Sequence, residues 1–407
     1  MNIGRIPAKH ARLTPQRVAL IDVPNDRRMT FAELHERVCR LGNALLGQLR
    51  LNKGERVAVI AKNCIEYMEV YYACALCGLI VQPVNWRLGL PEMTRVLRDG
   101  EPGAVVLAGE YAELESVLAP ELDVAHWLGF GEISNGRYEA VLASGAAVEP
   151  PESVDVGNDD PVLILYTGGT TGESKGALHT HKSLYMGMLN QTVAERIVPT
   201  DVYMLTGQMF HIPIALAMNY QAHGCPLVLI NFEARLALEV IQRERVSAFL
   251  GITTMLNWMM AVEDFDSFDL SSLRNIQYGG GPMPHKVVAA ALSAFPCTLI
   301  QGYGQTEGMT MTFLSQEDHV AAMRGEHPER LASCGREGFV TSVKLVDAQG
   351  KTVPKDSKTP GEILVQSDAN MVAYWRRPDL TAQTLREGWM WTGDIAVWDE
   401  DGYIFIV

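Results

Sequence analysis

The densest run of groups able to hold an anion is Thr167-Gly168-Gly169-Thr170-Thr171-Gly172-Glu173-Ser174-Lys175-Gly176, directly after the apolar stretch VLILY. Glycines let the backbone turn its N–H groups outward, the threonine hydroxyls add donors and Lys175 adds positive charge, a set suited to a polyphosphate. It is not a Walker A loop, because no Gly-Lys-Ser/Thr closes it at that spacing; the alternative is a flexible polar turn. A second cluster, Gln301-Gly302-Tyr303-Gly304-Gln305-Thr306-Glu307-Gly308, falls at the carboxyl end of an expected buried strand, where ligands of open α/β sheets bind. Tyr303 is suited to lie against a base, Thr306 to donate to a phosphate and Glu307 to hold Mg²⁺ through oxygen, with a Gly-rich turn as the plain alternative. The third, Gly279-Gly280-Gly281-Pro282-Met283-Pro284, permits close approach of a flat ligand or marks a tight strand-to-helix turn.

Such clusters need rigid strands behind them, and the chain supplies short Val/Ile/Leu runs alternating with amphipathic stretches, the pattern of parallel strands joined by crossover helices. Strands are expected at 56–60, 79–84 and 104–108, and helices at 31–49, 65–77 and 91–98. After a Pro/Glu/Asp-rich stretch at 148–160, read as a linker, strands are expected at 162–166, 202–205, 226–230, 248–251, 275–278 and 298–301, with a helix at 285–294 after Pro282 and Pro284. From Gly335 onward, period-2 alternation and turn signals predict antiparallel β structure. The expected fold is therefore α/β, with mostly parallel sheets in two related subdomains, 1–150 and 151–334, the second carrying the nucleotide site, plus a β subdomain at 335–407. Residues 403–407 read as a strand still in progress, which suggests part of a longer protein.

The 407 residues fit two to three domains at roughly 150 residues each. Lys+Arg 34 against Asp+Glu 48 gives a net charge of −14, which disfavours a nucleic-acid partner. Seven cysteines, an odd number without a disulfide pattern, favour a reduced, cytoplasmic setting. Cys74 and Cys77 form a C-x-x-C inside an apolar run and read as buried thiols rather than a metal or redox site. That run is shorter than the ~20 residues a membrane span needs, and the N-terminus has no apolar signal core, so a soluble protein is expected.

Taken in order, these motifs resemble the adenylate-forming superfamily of acyl-CoA synthetases, aryl-CoA ligases, peptide-synthetase adenylation domains and luciferases. YTGGTTGESKG resembles its phosphate loop, GGGPMP its adenine-edge segment, QGYGQTEG its adenine, phosphate and metal motif, and GEILVQSDANMVAYWRRPDLTAQTLREGWMWTGD followed by DEDGYIFIV its C-terminal signature. The resemblance implies that Thr167, Thr170, Thr171 and Lys175 surround the β- and γ-phosphates, with Gly168, Gly169 and Gly172 in the same loop. It implies that Tyr303 stacks on adenine beside Gly279, Gly280, Gly281, Gln301, Gly302 and Gly304, that Thr306 contacts the α-phosphate, that Glu307 holds Mg²⁺ and that Asp394 binds the ribose. His211, in Met209-Phe210-His211, matches the position beside the acyl carboxylate; Phe210, Trp258, Gly308 and Met309 are expected around the acyl group. ATP, Mg²⁺ and coenzyme A are the implied small molecules.

Two departures stand in the loop: Gly168 where the family usually has Ser, and Ser174 where it usually has Pro. Gly335-Arg336-Glu337 replaces the more frequent Gly-Arg-Pro. The family's hinge and small mobile domain, which supplies a further lysine, do not follow Val407, so the chain reads as the large N-terminal domain. The activity implied is conversion of a hydrophobic carboxylic acid to acyl-AMP and then to a coenzyme A thioester. The alternatives are an adenylation enzyme that loads an amino acid or aryl acid onto a carrier protein, and a non-catalytic acyl-adenylate binding module. A homodimer is left open.

Overall fold

The computed structural model describes residues 1–168, 174–281 and 283–407. Two large sheets and one small one organise them. The seven-stranded sheet runs Ala373–Tyr374, Lys175–Thr180, Pro161–Thr167, Ile80–Pro83, Arg56–Ile60, Pro102–Ala108 and His126–Phe130 from edge to edge. The nine-stranded sheet starts at Arg336–Glu337 and passes through Met309–Leu314, Thr298–Gln305, Asn275–Gly279, Ala248–Leu250, Tyr203–Leu205, Leu227–Leu229 and Val18–Asp22 to Arg27–Thr30. Inner strands of both are parallel and apolar, as burial on two faces demands.

Helices Ile65–Cys77 and Pro213–Ala222 lie in the core that the two sheets share. All 13 residues of Ile65–Cys77 are buried, and Gly78 ends the helix in the left-handed region at φ 72°. Cys74 and Cys77 sit inside it as free thiols; burial pushes the Cys77 thiol up to about 12 and Cys74 well above its ordinary value. No helix among the described residues is long and apolar enough to cross a membrane.

The expected division at residue 150 does not separate the sheets. Val18–Asp22 pairs with Leu227–Leu229 in one, and Ile80–Pro83 pairs with Pro161–Thr167 in the other, so both are built from both halves of the chain. Composition along the chain carries no information about such long-range pairing. The stretch 148–160 is likewise a packed strap rather than a loose linker: it contains the 3₁₀ turn Pro151–Asp155, Val156 is buried, and Lys53 ties down both the Asp155 carbonyl and the Asp160 carboxylate. The antiparallel C-terminal part forms as expected from Ser342–Val346, Gly361–Gln366 and Trp389–Trp398, with Leu385–Arg386 and Ile404–Ile406 paired to the last. It also lends Ala373–Tyr374 to the seven-stranded sheet and Arg336–Glu337 to the nine-stranded one.

Candidate active site

Strand Thr298–Gln305 runs into a tight hairpin before Met309–Leu314, which positions Thr306 and Glu307. A Cβ on Gly304 would stand 1.9 Å from the Met309 carbonyl oxygen, so only glycine allows the strands to close here, and Met309 itself takes φ 56°. Beside it, a Cβ on Gly279 would stand 2.1 Å from the Gly302 carbonyl oxygen. The glycines of both motifs thus let neighbouring strand ends approach closely while leaving one face of the sheet open.

Segment 371–375 fastens this hairpin to the other sheet. Met371 N–H donates to the Glu307 carbonyl (2.6 Å), Val372 N–H to Leu178 (2.9 Å) and Trp375 N–H to Gly176 (2.7 Å). Tyr374 then donates its hydroxyl to Glu307 Oε1 at 2.6 Å, while the Lys175 ammonium lies 5.6 Å from the centre of the same ring. Lys175 begins strand Lys175–Thr180 opposite Thr167, and Gly168 next to it is exposed. Gly169, Thr170, Thr171 and Gly172, with Pro282 of the glycine segment, lie outside the described residues.

His179, on the same strand, is fully buried and donates from Nε2 to the Thr306 carbonyl at 2.8 Å. Burial lowers its pKa to about 4, so the ring is neutral and Nδ1 is free to accept from Ser183 Oγ at 3.2 Å. The other end of the site is an acid pinned in place: Asp394 Oδ2 accepts from Tyr303 OH (2.6 Å) and Gln305 Nε2 (2.7 Å). Burial, then Asp394, raises the Tyr303 pKa, which keeps that phenol a donor.

A cavity of about 590 Å³ opens between these elements. Its lining includes the expected His211, Gly279, Gly280, Gly281, Gly302, Gly304, Thr306 and Met309. Leu216, Leu250, Ile252 and Gln277 also line it, unforeseen from sequence, and no Asp, Glu, Lys or Arg does among the described residues. His211 sits where the chain enters helix Pro213–Ala222, in a turn held by Tyr71 OH on the Met209 carbonyl (2.7 Å) and by Asn63 Oδ1 on Met209 N–H (3.0 Å). His211 is exposed and lines this cavity; the surrounding protein lowers its pKa while the nearby Glu307 charge raises it.

Three expectations about the cavity wall are corrected. Trp258 is 60% exposed and stacks on Phe232; helix Thr253–Met260 turns Thr253 and Thr254 to the cavity instead. Gly308 is buried toward Met311 and Met390, on the far side of the hairpin. Phe210 is not a lining residue but lies 5.9 Å from the Arg87 guanidinium, which also covers Trp86 at 4.2 Å. Tyr303 and Gln301 do not line this cavity; Tyr303 is 8% exposed, packs in the C-terminal core and donates its hydroxyl to Asp394. Tyr374, His179, Gln305 and Gln277 are site residues that motif reading missed, although Tyr374 and Gln305 lie inside quoted motifs.

An anchored acid, a lysine beside a carboxylate bridged by Tyr374, and glycine strand ends thus stand next to a cavity that no charged residue lines among the described residues. Residues 7–375 match the family model for AMP-binding enzymes. The chain belongs to that family. A feruloyl-CoA synthase of an Amycolatopsis species is 33% identical over all of this chain and 78% of its own length. A long-chain-fatty-acid–CoA ligase of Mycobacterium tuberculosis is 30% identical over the same shares. The crystal structure of the N-terminal domain of FACL13 from Mycobacterium tuberculosis superposes with TM-score 0.90 at 28% identity, covering 100% of each chain. The expected adenylate-forming α/β fold is therefore observed, and the expectation of an AMP-forming acid–thiol ligase stands.

Proposed function

We propose that this AMP-binding family member joins an uncharged, mainly hydrophobic carboxylic acid to coenzyme A by way of an acyl-adenylate, using ATP and Mg²⁺. The observation that carries the reading is the meeting of Lys175, Tyr374 and Glu307 next to Thr306, which lines a cavity that no charged residue lines among the described residues. An acid body without charge fits such a wall, whereas an amino acid's ammonium finds no carboxylate there.

In the first step a carboxylate oxygen attacks the α-phosphorus, the bond to the bridging oxygen of the β-phosphate breaks, and pyrophosphate leaves with the electron pair. In the second, a thiol adds to the activated carbonyl and AMP leaves. Mg²⁺, when bound, neutralises phosphate charge. Lys175 compensates charge on the leaving pyrophosphate, and Glu307 holds the cation with Tyr374 fixing its orientation. Thr306 contacts the α-phosphate, and His179 fixes its carbonyl. Asp394 receives the ribose hydroxyls while Tyr303 and Gln305 hold it. His211 orients the acid's carboxylate. Such catalysis works by positioning and charge neutralisation, so a nucleophilic side chain is not required. A cytoplasmic setting accords with seven free cysteines.

The test is acid-dependent ATP–pyrophosphate exchange over a panel of acids, together with calorimetry of Lys175→Ala. Uncharged acids should support exchange and free amino acids should not, and the substitution should weaken ATP far more than AMP. Robust exchange with an amino acid overturns the substrate class; equal losses for ATP and AMP remove Lys175 from the pyrophosphate.

A further inference from the structure

A second cleft, of about 450 Å³, opens beside Tyr166 and Ser174 and differs from the uncharged cavity in what lines it. Four guanidiniums do so, those of Arg95 and Arg98 on helix Leu90–Gly100 and of the adjacent pair Arg376 and Arg377, against two carboxylates, Glu92 and Asp99. This excess of positive charge is local, since the chain as a whole carries −14. Val96 is the one aliphatic side chain in the lining among the described residues, so the cleft offers no apolar bed for an acyl body.

The two carboxylates are already committed. Asp99 Oδ2 accepts from Tyr166 OH at 2.7 Å and Oδ1 faces the Arg377 guanidinium at 3.1 Å, while Glu92 Oε1 accepts from Ser174 Oγ at 3.4 Å. Most of the cations are not. Arg95 has no hydrogen bond or ion pair among the described residues, and Arg98 and Arg376 reach Glu121 and Glu101, exposed partners that hold a guanidinium weakly. Arg376 is nevertheless firmly placed. Its backbone takes φ 53°, a left-handed conformation that costs a non-glycine residue energy and persists because its surroundings impose it. Next to it, Trp375 Nε1 donates to the Asp99 carbonyl at 3.0 Å, and the Trp375 ring centre lies 5.3 Å from the Arg56 guanidinium and 5.6 Å from that of Arg376.

Tyr166 and Ser174 directly precede Thr167 and Lys175, the described residues of the proposed phosphate site. We propose that this cleft is a second anion site, which takes inorganic pyrophosphate as it leaves Lys175. The proposal rests on the adenylation reading, which makes pyrophosphate the anion released next to the cleft. A guanidinium fork pairs with phosphate oxygens through two parallel hydrogen bonds, and a diphosphate has two such ends, one for the helix arginines and one for Arg376 and Arg377. Orthophosphate has a single end and less charge, so it binds more weakly.

The test loads this chain with one equivalent of α,β-methylene ATP, which fills the proposed phosphate site, and then titrates pyrophosphate or orthophosphate by calorimetry. Pyrophosphate should still bind, ~10-fold or more tighter than orthophosphate, the worth of one hydrogen bond to a charged group. Arg95→Gln and Arg376→Gln, both at exposed positions, should together weaken pyrophosphate ~10-fold or more while leaving the affinity for the ATP analogue and the melting temperature in place. No pyrophosphate binding to the loaded chain, equal affinity for orthophosphate, or binding that survives the loss of both arginines overturns the second site even when the ATP analogue binds. Failure of the ATP analogue to bind overturns the adenylation reading itself.

Discussion

Glu195 and Glu307 each accept a tyrosine hydroxyl at 2.6 Å, from Tyr220 and Tyr374 respectively. Glu195 is fully buried at the end of helix His181–Glu195, where Gln191 adds a second donor at 2.9 Å and Tyr220 stacks on Tyr203 with ring centres 4.3 Å apart. Among the described residues no cation pairs with its carboxylate, and burial pushes its pKa up to about 7. Glu307 is half-buried on a hairpin next to the cavity-lining Thr306, with Lys175 over the face of its tyrosine partner and His211 nearby. The same local pair thus does two jobs. Where water is excluded the protonated carboxyl is favoured and the pair serves as packing; where the site is open the tyrosine fixes the direction of a half-buried carboxyl.

The largest expected difference is in pH dependence. The folded Glu195 pKa of about 7 lies above its ordinary 4.5, so folding favours its protonated form. The stability this contributes is complete below about 4.5 and is lost as pH rises through about 7, about 3 kcal/mol at most. Thermal unfolding at successive pH values should show the fall, and Glu195→Gln should flatten it. An unchanged slope in that variant would show that Glu195 is not the titrating group.

Glu307→Gln should do the reverse, with the melting temperature nearly constant and adenylation reduced ~100-fold or more, the usual worth of a positioned charge-stabilising group. The Mg²⁺ concentration needed for half-maximal pyrophosphate exchange should rise as well. A Mg²⁺ titration that superposes on the wild type would take the cation away from Glu307.

Smaller effects come from the tyrosines. Tyr220→Phe should cost roughly 1–2 kcal/mol of stability, because a buried carboxyl loses one of its two side-chain donors. Tyr374→Phe keeps the ring under Lys175 and removes only the bond to a half-exposed acid, so a loss of up to ~10-fold in exchange is expected, with little change in melting temperature. Equal stability losses in the two variants would erase the contrast between packing and aiming.

Motif reading singled out Lys175, Thr306 and Glu307, because polar residues in glycine-rich runs after apolar strands announce themselves in sequence, whereas Asp394 and His211 rested on the family resemblance alone. It also found the helix at 65–77 and the strand at 56–60 to the residue, since both are mainly apolar segments bounded by polar or turn residues. Trp258 shows the limit: an aromatic residue near the site in sequence is placed one helical turn past the cavity, against Phe232.

What the sequence determined by itself is what local chemistry decides: which segments become strands and helices, which loops offer donors and acids, and the class of reaction those groups serve. Tertiary structure alone decided which of them meet. Tyr374 reaches Glu307 across 67 residues, His179 reaches Thr306 across 127 and Ile80–Pro83 pairs with Pro161–Thr167, all through pairing between distant strands. The face each residue presents was settled there too, as for Gln277 toward the cavity and Tyr303 away from it. The physical reason is that a strand's side chains alternate between its two faces, and only the partners packed on each face make one of them a site and the other a core.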